Sequence, residues 1–392
     1  METLQTETPQ RAGLDEAGLG RVTDFAARAI SEERVAGAVI VLMRRGRIGM
    51  HAAFGDMSRS GDEPMRHDAI FRQYSMTKPV VSVGLLQLYE EGRFQLTDPL
   101  ELHLPELAGL RVHAGYDESG APKYDELQRS PTVLDAMRHT PGFVSGIGPT
   151  HVDALYRERG LTLAQSPSLS QAILTLGEMP LLYQPGERWV YGLGHDVQAH
   201  LIERLSGRPL DAYLTDRVFR PLGMIDTAYG VPDDQRSRVV DLHGAGAASG
   251  IPTYERFADR PFGTIGLWGT TIDFARFGEA LRRGGELDGE RVLARKTVEL
   301  MCSNHLPPGI DRLPPGSPAP GAGYGLGVSV TVDPASESNL GSPGTFGWFG
   351  AATTRFLVDP REEFVAVFCA QQMPSDGRLL AEFQTVAYGA LV

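Results

Sequence analysis

The sequence predicts an α/β protein of the α+β kind: an antiparallel sheet made from both ends of the chain, flanked by terminal helices, beside a mostly helical lobe. Three observations predict it. Strand-like runs cluster near both ends, helical spacing dominates the middle, and the first and last long elements are amphipathic helices. With 392 residues, 42% of them apolar and 22% charged, the chain can bury a large core unaided by disulfides.

Leu14, Leu19, Val22, Phe25, Ala26 and Ile30 recur near helical spacing, so residues 14–30 read as an amphipathic helix. Ala36 to Met43 and Ile48 to Phe54 are strand-like around the turn-prone Arg44-Arg45-Gly46-Arg47, which predicts a hairpin. From Ser75 to Glu91 the chain is apolar on most sides of a helix, the pattern of a buried helix. Short helices are expected over Val133 to Arg138, Leu169 to Leu176, His195 to Leu205 and Leu210 to Phe219. Residues 228–263 and 303–323 carry Gly, Pro and Asp with little periodicity and read as loops. Tyr324 to Val332, Thr353 to Val358 and Phe364 to Cys369 are strand-like, and Leu379 to Val392 reads as a closing helix. The expected division is a sheet lobe over residues 1–72 and 265–392 and a helical lobe over 73–264, together one composite unit.

Composition narrows the function. The 37 Lys and Arg against 49 Asp and Glu leave a formal charge of −12, which disfavours nucleic acid and anionic membranes as partners. Cys302 and Cys369 are the two cysteines, too few for a disulfide framework or a four-Cys zinc site. The start METLQTETPQRAG has neither a basic stretch nor an apolar core, and no apolar run approaches membrane-spanning length, so a cytoplasmic location is expected. The 46 Gly and 27 Pro, about a fifth of the chain, show no collagen-like period and read as tight turns and ordered loops.

No G-x-S-x-G and no H-E-x-x-H occurs, and His195 and His200, five apart, read as ordinary core or solvated histidines. Gly321 to Gly327 is glycine-rich but precedes a strand and lacks the dinucleotide-binding spacing. The positive signal is Ser75-Met76-Thr77-Lys78, the single S-x-x-K of the chain, at the start of the buried helix. Three residues apart on a helix, the hydroxyl and the amine share one face. The helix N-terminus suits an oxyanion, and an amine among Met76, Val80 and Val81 is desolvated, which lowers its pKa and lets it act as a base near neutral pH. Together these make a Ser–Lys nucleophile.

Further segments follow in order. Phe71 to Pro79, His139-Thr140-Pro141-Gly142-Phe143, Pro185 to Leu193, Gly266 to Asp273 and Phe346 to Ala351 resemble successive motifs of the serine β-lactamase superfamily. The resemblance covers nearly the whole chain and is strongest to the class C β-lactamase/D,D-peptidase branch and its family VIII carboxylesterases. It implies a β-lactamase/D,D-peptidase-like fold with the active site between the lobes, Ser75 as acylated nucleophile, and Lys78 and Tyr191 as proton-transfer residues. It also implies an oxyanion hole from the backbone N–H groups of Ser75 and Ala351.

Two departures select a branch. Where β-lactamases carry Lys-Thr-Gly, this chain has Trp348, Phe349 and Gly350, an apolar wall in place of an anion-binding corner. Tyr191 is followed by Gly192 and Leu193, so the polar residue that meets a lactam amide is absent; an unpaired buried amide costs about 1–3 kcal/mol. Trp348, Phe349, Gly350 and Leu193 are thus the expected substrate contacts. The reading is a serine carboxylesterase for small, uncharged esters, needing no metal or organic cofactor. An acyltransferase, a weak β-lactamase or D,D-peptidase, and a catalytically silent binding protein are the alternatives, and oligomeric state is left open.

Overall fold

The computed structural model describes residues 4–162, 165–244, 261–310 and 321–392. The main sheet takes β1 (Gln5–Thr6), β2 (Gly37–Arg44) and β3 (Arg47–Gly55) from one end of the chain. Before the helical segment comes the two-residue strand β4 (Phe71–Arg72), which pairs outside the main sheet with β5 (Trp268–Gly269). The C-terminal part adds β6 (Ala322–Tyr324), β7 (Ser329–Thr331), β8 (Phe346–Gly350), β9 (Thr354–Asp359) and β10 (Phe364–Cys369). The order is β1-β3-β2-β10-β9-β8-β7-β6, antiparallel except for the β1–β3 pair. The two ends of the chain meet where β2 pairs β10, Val41 opposite Val367.

All eight residues of β2 are buried because helices cover both faces of the sheet. That is why its sequence is a continuous apolar run rather than an alternation. On one face Ala38, Ile40 and Leu42 pack with Phe364, Ala366 and Phe368 under α1 (Glu16–Ser31) and the C-terminal helix α5 (Gly377–Tyr388). Phe25, Phe368 and Phe383 join these layers with ring centroids 5.2–6.3 Å apart. Asp15 and Asp376 cap the two helices by accepting from the N–H groups of Gly18 and Leu379, each at 2.8 Å. On the other face Val39, Val41 and Met43 belong to a larger cluster that runs through α4 (Thr271–Arg282) to α2 (Thr77–Glu90) and α3 (Gly194–Ser206). Every residue of α2 from Thr77 to Leu88 is buried, as its all-round apolar character predicts.

Several expectations change in detail. The helix over Ser75 to Glu91 opens with a 3₁₀ turn, Tyr74–Met76. The strand over Tyr324 to Val332 is two strands, β6 and β7, joined by a turn in which the Gly325 N–H donates to the Val328 carbonyl at 2.8 Å. The helix over Leu210 to Phe219 is α-helical over Leu210–Leu214 and then a π-helical turn over Thr215–Phe219. The middle also holds an unanticipated hairpin, Arg111–Tyr116 with Pro122–Glu126, and an extra helix, His151–Glu158. The expected loops fall partly outside the described residues, at 245–260 and 311–320. Among the described residues no helix is long and apolar enough to cross a membrane.

Candidate active site

Ser75 is placed by a strand-to-helix entry held from three sides. β4 pairs β5, the Gln73 N–H donates to the Leu267 carbonyl at 2.9 Å, and Gln371 bonds both the N–H and the carbonyl of Arg72. The chain then turns sharply through Tyr74, whose φ of +46° is a strained value for a bulky residue and is held by full burial. Gly350 closes the third side: a Cβ there would lie 2.5 Å from the Gln73 carbonyl oxygen, so the glycine lets β8 approach the segment that carries Ser75. The expected substrate contact at Gly350 is therefore first a packing contact with the chain two residues before Ser75.

The first turn of α2 brings the Lys78 Nζ to 3.2 Å from Ser75 Oγ, as the three-residue spacing predicts. Tyr191 arrives from the segment before α3, which is tied to the His139-Thr140 turn: the N–H groups of Val190 and Gly186 donate to the carbonyls of His139 and Thr140, each at 2.8 Å. Its hydroxyl donates to Ser75 Oγ at 2.7 Å, and the Lys78 Nζ lies 4.6 Å from its ring centroid. Ser75, Lys78 and Tyr191 thus converge on one oxygen.

Ser75 and Tyr191 are half-buried, whereas Lys78 is fully buried. Burial disfavours the ammonium and pulls Lys78 down to about 7, against the attraction of Asp196. Burial raises the Tyr191 phenol above its usual value, against the opposing effect of its neighbours Ser75 and Trp348. Asp196, in the first turn of α3, is pushed up to about 6 by burial, opposed by hydrogen bonds from Thr264 and by Lys78. His139 and His195 are held well below their usual value by burial. Their rings lie 4.9 Å apart, and His139 is equally close to Tyr191.

Trp348 lies on the face of β8 toward Tyr191, 4% exposed, its ring stacked at 26° and 6.1 Å on that of Tyr191. Phe349 leaves the strand on the opposite face, as the two-residue period requires, sharing that face with its cross-strand partner Arg355. It borders a cavity of about 260 Å³ that also meets Gln384 of α5, with its ring centroid still 5.2 Å from that of Trp348. The expected pair of pocket aromatics thus divides, and Trp348 is the member beside Tyr191. Leu193, 3% exposed, sits in the apolar cluster immediately before α3. Ala351 is half-buried and directly follows Gly350 at the end of β8.

The sequence reading missed Asp196, Thr264 and the buried pair His139–His195. His139 lay inside a quoted motif without a role, and His195 read as an ordinary histidine. The five-residue step from Tyr191 to Asp196 crosses a loop-to-helix boundary, so no helical periodicity marks it.

Comparison with known proteins bears on the family and the fold. The family model described as Beta-lactamase matches residues 21–389. Protein Rv1367c of Mycobacterium tuberculosis is 30% identical over 359 residues, 87% of this chain and 86% of that protein. Esterase EstB of Burkholderia gladioli is 28% identical over 386 residues, 91% of each chain. Among solved structures, the LovD6 mutant of simvastatin synthase from Aspergillus terreus superposes with a TM-score of 0.80 over 95% of each chain at 22% identity. The fold is the β-lactamase/penicillin-binding-protein fold, and the chain belongs to the Beta-lactamase family.

Proposed function

We propose that the protein is a serine carboxylesterase of the family VIII kind, acting on small uncharged esters through an acyl-enzyme on Ser75. The observation that carries the reading is the convergence of the Tyr191 hydroxyl at 2.7 Å and the Lys78 Nζ at 3.2 Å on Ser75 Oγ. The neutral amine of Lys78 takes the hydroxyl proton as Ser75 Oγ bonds to the ester carbonyl carbon. The oxyanion is received by the backbone N–H groups of Ser75 and Ala351. Collapse breaks the bond to the alcohol oxygen, and the proton passes from Lys78 through Tyr191 to that leaving oxygen. Water then repeats the sequence, its proton going to the same pair, and releases the carboxylic acid and free Ser75.

The raised phenol and lowered amine divide the labour: Tyr191 rests protonated and hands a proton on, while Lys78 rests close to its neutral form. The indole of Trp348 beside Tyr191 and the apolar Leu193 support an uncharged substrate over a β-lactam carboxylate. A single kinetic panel tests the reading: short p-nitrophenyl esters, nitrocefin, and an ester with an added alcohol acceptor. Esters are expected to turn over fastest, with water as the main acceptor. Faster nitrocefin turnover, or dominant transfer to the alcohol, would replace it with a lactamase or an acyltransferase.

A further inference from the structure

Lys78 is tied to more than Ser75. Its Nζ donates to the Thr264 carbonyl at 2.8 Å, and the Thr264 N–H donates to Asp196 Oδ1 at 2.7 Å. A single residue of backbone therefore links a fully buried amine to a carboxylate that is 3% exposed. The segment carrying Thr264 reaches this position because of Gly263. A Cβ at Gly263 would lie 1.7 Å from the His195 carbonyl oxygen, so glycine allows the approach to α3 that brings the Thr264 N–H to Asp196. Three residues on, the Leu267 N–H donates to Thr77 Oγ1 at 3.2 Å, which holds the same segment against α2.

We propose that Asp196 is the positioning residue of Lys78: its carboxylate pins the Thr264 backbone whose carbonyl holds the amine beside Ser75, and its charge offsets part of the burial penalty on the ammonium. The proposal rests on the reading of Ser75, Lys78 and Tyr191 as the catalytic set. Among the described residues, five groups surround the Lys78 amine. Ser75 and Thr264 hydrogen-bond it, the Tyr191 ring lies 4.6 Å away, and His139 and His195 face it from the neighbouring turn and from α3. Both imidazoles are kept neutral by burial, so among the described residues Asp196 is the carboxylate that opposes the effect of burial on Lys78.

Two substitutions separate anchoring from charge. Asp196→Asn keeps an oxygen to accept the Thr264 N–H and removes the negative charge. Its kcat/KM profile is expected to lose its acid limb at a pH about one unit lower than the parent's, with the plateau kcat reduced by about threefold. Asp196→Ala removes both functions and is expected to lower kcat about 100-fold while KM stays within about threefold. The measurement is kcat and KM for a short p-nitrophenyl ester between pH 5 and 9, with thermal melting of each variant. An unmoved acid limb in Asp196→Asn overturns the proposal, even if Asp196→Ala fails to fold; so does parental kcat in a folded Asp196→Ala. Ser75→Ala is measured alongside. Parental turnover in that variant means the catalytic reading has failed, whereas an inactive Ser75→Ala with unaltered Asp196 variants overturns the Asp196 proposal alone.

Discussion

The Tyr191 hydroxyl stands 2.7 Å from Ser75 Oγ, although the two residues are 116 positions apart. The Lys78 Nζ meets the same oxygen from only one helical turn downstream, at 3.2 Å. In the proposed mechanism a nucleophile hydrogen-bonded to two proton carriers of different acidity acts as one unit. Lys78→Ala and Tyr191→Phe are each expected to lower kcat by about 10³-fold or more, and the double variant to be little worse than either single one. Multiplying losses in the double variant, measured by steady-state kinetics, would show that the two residues act independently.

The acidity of Lys78 sets a pH limb. Its ammonium cannot accept the Ser75 proton, and burial brings its pKa down to about 7. The kcat/KM of the parent is expected to fall as pH drops through about 7 and to level off above about 8. Tyr191, raised by burial, stays a phenol across that range and adds no fall below about pH 9. Activity constant from pH 5 to 8 would contradict a buried lysine base.

Trp348 is 4% exposed and stacks on Tyr191. Trp348→Ala is expected to destabilise the fold by about 3 kcal/mol, the usual cost of truncating a buried indole. It is also expected to shift preference from short toward bulkier acyl groups, read as the ratio of kcat/KM for butanoate and branched benzoate esters. An unchanged ratio would move the substrate wall away from β8.

Gly350→Ala places a Cβ 2.3 Å from Thr354 Oγ1 and 2.5 Å from the Gln73 carbonyl. The expected cost is about 1–3 kcal/mol of overpacking. Because the displaced neighbour leads into Ser75, a drop in kcat of about tenfold or more is expected as well. Parental kcat with a lowered melting temperature would confine the glycine to a packing role.

Asp273 ties stability to pH. It is 1% exposed, accepts from Thr227 Oγ1 at 2.8 Å and from the Asp226 N–H at 3.0 Å, and burial pushes its carboxyl up to about 7. In the unfolded chain an aspartate titrates near about 4. Between those values the folded state holds a proton that the unfolded state has released, so this group's contribution to stability falls as pH rises through the window. Asp273→Asn keeps the acceptor oxygen and removes the titration. Its melting temperature relative to the parent is expected to rise between pH 5 and pH 8; a difference that is flat or falls with pH contradicts this account.

The sheet was legible in the sequence where burial writes a pattern. β2 and β10 are wholly buried runs, and the strand expected over Phe364 to Cys369 matches β10 residue for residue. The hairpin Arg111–Tyr116 with Pro122–Glu126 was not, because its second strand is almost wholly exposed and carries no apolar alternation. In the site, Ser75 and Lys78 are joined by local helix geometry and could be read directly, while Tyr191 was reached through the resemblance. Asp196 acts through the Thr264 backbone, 68 positions away, and a contact made by a main-chain carbonyl leaves no mark on residue type. The division of Trp348 from Phe349 follows from the strand period once β8 is placed, but not from the motif that names both.

The proposed esterase chemistry requires a covalent intermediate at Ser75. Intact-mass and peptide-level mass spectrometry of the protein quenched during turnover of p-nitrophenyl acetate measures it most directly. One acetyl group on the peptide containing Ser75, absent in Ser75→Ala along with ester hydrolysis, is the predicted result. Full hydrolysis by Ser75→Ala, or an acetyl group on a different residue that tracks turnover, would contradict it.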